Sequence, residues 1–267
     1  MPACKLLKTD SEGFILNKSK PENIQPLWAK PVQEVLEAHQ KRFTSNLHSF
    51  YLRGSIPQGL AMENISDIDS IAIIRGTVTP DFHWIAKLRK VIKSRYSFVK
   101  DIDCQFFPYP EILNHHSLLS CRFNLRHLSI CLHGEDLSQS IKAFKPNRQL
   151  GFYLHGNIIE VLENAKRQFI KDPASSQLTC IWIMKRLIRT GFALVMERER
   201  AYTRDLTTCY EVFSKYYPKQ KSMMAQALDL AIYPIDDLKK ISAVIDPLGD
   251  WLIQEARKVF SGNSLGL

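Results

Sequence analysis

The chain has 267 residues, of which 45% are hydrophobic and 24% charged. That is an ordinary globular composition, with enough apolar material for one large core or two modest ones and no call for disulfides or a structural metal. No apolar run approaches the roughly 18 residues of a membrane span, and the start, MPACKLLKTDSEGF, lacks the apolar stretch of a signal peptide. Six cysteines (Cys4, Cys104, Cys121, Cys131, Cys180, Cys209) form no C-x-x-C pair, so a cytoplasmic protein with reduced thiols is expected. The net charge of +9 is spread over both halves and suits a polyanionic ligand such as a nucleoside triphosphate, or weak contact with nucleic acid.

In chain order, residues 1–25 are polar, carry Pro21, and read as an irregular lead-in. From Leu27 to Leu47, Trp28, Val32, Val35, Leu36 and Phe43 recur at helical spacing. Ser49–Ser55 reads as a short strand running into Gly54-Ser55, followed by a loop with Pro57, Gly59 and Asn64. Asp67–Ile74 is β-branched and apolar with acids at its start, a strand pattern. Pro80–Arg95 suits a helix, and Phe98–Phe107 another strand closed by Pro108 and Pro110. This order predicts an α+β fold: a mixed sheet flanked by helices over residues 26–142.

After Ser140 the period changes. Leu150–Phe169, Leu178–Met196, Asp205–Tyr216, Ser222–Ile232 and Asp237–Val259 all repeat near 3.6 residues, punctuated by Asp172-Pro173, Tyr217-Pro218 and Tyr233-Pro234. An all-helical bundle over 149–260 is expected. Trp182, Ile181, Ile183 and Leu187 read as bundle core, as do Tyr210, Phe213, Tyr216 and Tyr217.

The chemistry concentrates in YLRGSIPQGLAMENISDIDSIAII, Tyr51–Ile74. Strand side chains alternate faces, so Asp67 and Asp69 point one way while Ile68 anchors the other. Two carboxylates on one face repel unless a cation neutralises them, and magnesium is a hard ion that prefers carboxylate oxygen. A third acid should come from a neighbouring strand. Asp103, between Ile102 and Cys104, fits better than Asp101, which follows Lys100 and so lies nearer the solvent edge. Gly54 allows close backbone approach, and Ser55 adds a hydroxyl and N–H groups for phosphate.

These residues resemble the DNA polymerase beta-like nucleotidyltransferase superfamily, whose signature is Gly-Ser, a short spacer, Asp-x-Asp and a later acid. Here the match is Gly54-Ser55, Ile56–Ser66, Asp67-Ile68-Asp69, then Asp103. The layout is similar to that of bacterial aminoglycoside nucleotidyltransferases. Leu132–Leu137 (LHGEDL) is similar to a segment that follows the sheet in small members, and Ala201–Leu206 (AYTRDL) to a loop offering a basic residue, here Arg204, to the triphosphate. The resemblance implies two magnesium ions held by Asp67, Asp69 and Asp103, with ATP as nucleotide. AMP would pass to an acceptor hydroxyl, on a small molecule such as an aminoglycoside, and Asp103 would bind an ion or take the proton. Arg53 or Arg204 would offset charge on pyrophosphate. A protein or RNA end as acceptor, or a non-catalytic nucleotide-binding copy, are the competing readings. Adjacent His115-His116 diverge in any regular element, and Cys121, His127, Cys131 and His133 fit no common zinc spacing.

Overall fold

The computed structural model describes residues 6–76, 81–112 and 118–261; Cys4, His115 and His116 fall outside them. The chain divides into two compact units, Leu16–Ala143 and a second comprising Met1–Ile15 with Phe144–Leu267.

The first unit is a four-stranded mixed sheet with helices. Helix α1 (Pro26–Phe43) opens with proline at its first position and buries Trp28, Val32, Val35, Leu36 and His39, one stripe at helical spacing. Strand β1 (Leu47–Arg53) is buried at every position. It pairs antiparallel with β2 (Ile68–Ile74), which pairs in parallel with β3 (Ile102–Pro108). Helix α2 (Phe82–Arg95) makes the crossover between those parallel strands, with Asp81 capping it by accepting from the Trp84 N–H. The short α3 (Tyr109–Ile112) and α4 (Leu119–His127) lead to β4 (Ser129–Gly134), antiparallel to β1 on its other side, so the sheet order is β3-β2-β1-β4. The core gathers Trp28, Phe50, Leu52, Ile68, Ala72, Ile92 and Ile102 between sheet and helices.

Helix α4 and strand β4 were not anticipated. CRFNLR has no clean period, and SICLHG is six residues with two polar members, so neither announces itself locally. LHGEDL proves to be the end of β4 and its exit. Gly134 has φ +78, and a Cβ there would meet the His48 carbonyl at 2.0 Å. The Tyr51 hydroxyl accepts from the Leu137 N–H at 2.7 Å and donates to the Glu135 carbonyl, fixing the turn to the sheet.

The second unit is helical: α5 (Arg148–His155), α6 (Ile158–Lys171), α7 (Ser176–Ala193), α8 (Met196–Glu199), α9 (Leu206–Tyr216), α10 (Lys221–Ile232) and α11 (Leu238–Phe260). The single helix expected over Leu150–Phe169 is two, broken at Gly156-Asn157, both poor helix-interior residues. Asp205 and Asp237 cap α9 and α11 through their carboxylates. Residues before Leu16 join this unit through a bridge between Leu7 and Tyr202. Trp182 corrects the sequence reading. The buried stripe of α7 is Cys180, Ile183, Met184, Leu187, Ile188 and Gly191, which turns Trp182 outward, 46% exposed. Phe213 is fully buried and packs on Tyr217 and Trp251, while Tyr210, Tyr216 and Tyr217 are half-buried. Among the described residues no helix is long and apolar enough to cross a membrane.

Candidate active site

Three strands place three charged side chains in one row. Arg53, the last residue of β1, is the register partner of Asp69 on β2, and Asp69 is the register partner of Asp103 on β3. Register partners project to the same face of a sheet with Cα atoms about 5 Å apart. The Arg53 Nη2 donates to Asp103 Oδ2 at 2.6 Å and lies 3.5 Å from Asp69 Oδ1. Gln105, two residues along β3 on the same face, adds a bond to Asp103 Oδ2 at 3.3 Å. The arginine side chain is 9% exposed against 28% for Asp69 and 49% for Asp103, so the cation is the enclosed member and the acids form the mouth.

Asp67 precedes β2 and is half-buried. The parallel pairing runs back past the strand ends, with the Ile68 N–H donating to the Asp101 carbonyl and the Lys100 N–H to the Ser66 carbonyl. Asp67 therefore keeps the parity of Asp69 and faces the same side. Asp101 is engaged elsewhere: its carboxylate accepts from the Ile102 N–H and pairs with Arg89.

Gly54 and Ser55 close the near side. Gly54 has φ +84, and a Cβ built on it would stand 2.3 Å from Asp69 Oδ2, so only glycine lets the backbone pass this carboxylate. Ser55 opens a single tight turn, Ile56–Gln58, which ends at left-handed Gly59. The Ser55 hydroxyl donates to Ser66 Oγ at 3.0 Å, and Ser66 Oγ also accepts from the Met62 N–H at 2.9 Å. The loop between the glycine-serine pair and the acids is thus tied at both ends. It turns outward the exposed side chains of Leu60, Met62 and Ile65.

Among the described residues, no group of three or more His, Cys, Asp or Glu stands close enough to hold a metal ion. Between Asp69 and Asp103 the neighbouring cation is the Arg53 guanidinium.

This architecture has a solved counterpart. The crystal structure of spectinomycin adenyltransferase AAD(9) from Enterococcus faecialis, with ATP and spectinomycin, is similar to this chain with a TM-score of 0.54 at 14% identity, covering 84% of this chain and 98% of that one. The two share a fold, a mixed sheet flanked by helices followed by a helical region. No protein-family model matches the sequence, and no curated protein matches it.

Within the helical unit, Arg204 is exposed and belongs to a basic group that the sequence reading did not assemble. Arg189 Nε donates to the Arg204 carbonyl at 3.3 Å, and Arg186 donates to Asn157 Oδ1. Burial, with Arg204 alongside, lowers Arg189 to about 10 and also lowers Arg186. His155 is buried among them; burial first, then the charges of Arg186, Arg189 and Arg204, hold it well below the usual histidine range. Gathered arginines in a half-buried setting favour an anion. The signal for Arg186 and Arg189 was present as two arginines three residues apart on α7, with Lys185 beside the first. Among the acids of the helical unit, Glu197 pairs with Arg148 and Glu199 with Lys215 and Tyr216, while Glu160, Glu163 and Glu211 are exposed.

Proposed function

We propose that this protein transfers a nucleoside monophosphate, AMP from ATP foremost, to the hydroxyl of a small acceptor and releases pyrophosphate. The observation that carries the reading is the juxtaposition of Asp69 and Asp103 on adjacent parallel strands beside the Gly54-Ser55 turn. The solved structure of similar fold holds ATP and spectinomycin, which supports a nucleotide and a small hydroxyl-bearing acceptor. The proposed division is a catalytic domain over 26–142 and a helical domain over 149–260.

Asp67, Asp69 and Asp103 offer the carboxylate oxygen that a divalent cation prefers, and Gly54 leaves Asp69 Oδ2 against bare backbone, but the three acids do not stand together as a metal-holding group and would have to draw in around the ion. Those three residues would hold magnesium, which when bound withdraws charge from phosphate oxygens and makes a hydroxyl easier to deprotonate. Gly54 and Ser55 receive the terminal phosphates through N–H groups and the serine hydroxyl. The acceptor oxygen forms a bond to the α-phosphorus while the bond from that phosphorus to the bridging oxygen breaks. Pyrophosphate leaves with that electron pair, and Asp103 receives the acceptor proton. Arg53 is fixed at the acids, and Arg204 is the proposed basic contact for phosphate in the helical unit.

The test is incubation with ATP labelled at the α-phosphate, magnesium and a panel of aminoglycosides, other polyols, RNA and protein. Label on a small acceptor supports the proposal. Label on RNA or protein alone would replace the acceptor class, and no transfer at all would remove the activity.

A further inference from the structure

Arg53 is not part of the glycine-serine and aspartate pattern, yet it is the best-enclosed charged group at the site. The residue is 8% exposed, and its Nε is buried without a hydrogen-bond partner. The buried Cys121 thiol on α4 feels the arginine's charge, although burial is what chiefly pushes that thiol up to about 12. A guanidinium so placed has little freedom to leave. Its one short bond goes to Asp103, its next approach is to Asp69, and these two acids are register partners.

Two carboxylates opposed across adjacent strands need a cation between them. The chain supplies one from its own β1. We infer that Arg53 is the resident counter-cation of the Asp69–Asp103 pair. It keeps the pair assembled at low divalent concentration, and it weakens the pair's hold on a divalent ion. This rests on the reading of these acids as metal ligands. A divalent ion and a fixed guanidinium sharing two carboxylates repel each other, so the arginine raises the ion concentration needed for occupancy. In exchange, the acids are already oriented when ion and nucleotide arrive.

The test uses the full chain and Mn2+ as probe, with free Mn2+ followed by its paramagnetic resonance signal and melting followed in chelator and in Mn2+. Arg53→Gln and Arg53→Met remove the charge, and Arg53→Lys keeps it. The neutral variants should bind Mn2+ at least about tenfold more tightly than wild type, melt lower in chelator and recover that loss on adding Mn2+. Arg53→Lys should bind Mn2+ as weakly as wild type. A neutral variant that folds only with Mn2+ is the extreme form of the expected result.

If wild type binds Mn2+ and both neutral variants bind it no more tightly, the inference is overturned while the metal reading stands. The same holds if they melt lower by equal amounts with and without the ion, since that marks an arginine needed only for packing. If neither wild type nor Arg53→Gln takes up Mn2+, with or without ATP, the metal reading falls and the inference falls with it.

Discussion

Gly54 passes the carboxylate of Asp69 so closely that a methyl group on its Cα would overlap Asp69 Oδ2, at 2.3 Å. The same residue has φ +84, where a side chain costs about 1–2 kcal/mol on its own. Gly54→Ala must therefore strain the turn and push Asp69 aside. A misplacement of about 1 Å at a reacting centre costs roughly a hundredfold. Nucleotidyl transfer by Gly54→Ala is expected to fall by at least about that factor while the melting temperature drops only a few degrees. Steady-state kinetics beside a thermal melt check this, and an alanine variant with near wild-type turnover would contradict it.

Ser66 makes a subtler contribution. Its buried hydroxyl joins Ser55 to the Met62 backbone, so it holds in place, through the loop, the serine proposed to receive phosphate. Loss of a hydrogen bond of this kind is worth about 1 kcal/mol. Ser66→Ala should raise the KM for nucleotide roughly fivefold with kcat little changed, and Ser66→Thr should restore part of it. A fall in kcat with unchanged KM would place Ser66 in a different role.

His39 sets a pH dependence of stability. Its ring lies among Phe50, Trp84 and Phe106 with centroids at 4.8, 5.0 and 5.7 Å, and its Nδ1–H donates to the Val35 carbonyl at 2.7 Å. Burial lowers its pKa from 6.5 to about 4. The unfolded chain therefore takes up a proton near pH 6.5 that the folded chain refuses until about pH 4. Stability is fully present above the unfolded value and is lost as pH falls through that window, by about 3 kcal/mol in total. Denaturant titrations between pH 7.5 and 4.5 should show His39→Leu losing less stability than wild type as pH falls, and parallel curves would refute the assignment.

Gly191 on α7 reports on the helical packing. A Cβ there would lie 2.6 Å from Met224 Cε and 3.0 Å from Phe213 Cδ2. The methionine end can give way, but the phenylalanine ring is fully buried and cannot move far. Gly191→Ala is expected to destabilise by about 1–3 kcal/mol despite the better helix propensity of alanine. Urea unfolding measures it, and a stabilised variant would mean that the helices there are less tightly packed.

The parts legible in the sequence are those written in local pattern. The apolar stripe of α1 and the β-branched run after Asp67 have unmistakable periods, and the glycine-serine and aspartate spacing needs only a strand on each side of a loop. Asp103 beside Asp69 was reachable because parity and apolar flanks constrain a strand acid. The role of Arg53 was not legible as it stands. It depends on Arg53 and Asp69 being register partners across an antiparallel pair, and that register is set by the whole Gly54–Asp67 loop rather than by any local period. Strand β4 and helix α4 were lost for want of period. Trp182 was misread because one helix offered two apolar stripes, and only the packing of the surrounding helices on α7, α9 and α10 foremost, selects between them.

The most direct measurement is acceptor-dependent release of pyrophosphate from ATP with magnesium, comparing wild type with Asp69→Asn and Asp103→Asn. Each variant keeps the size of the side chain and removes the charge. Activity should fall by at least about a thousandfold in both, far more than any loss of folded protein shown by a thermal melt of the same variants. Turnover that survives in Asp69→Asn would contradict the account, because the acid paired with both Arg53 and Asp103 would then lie outside the chemistry.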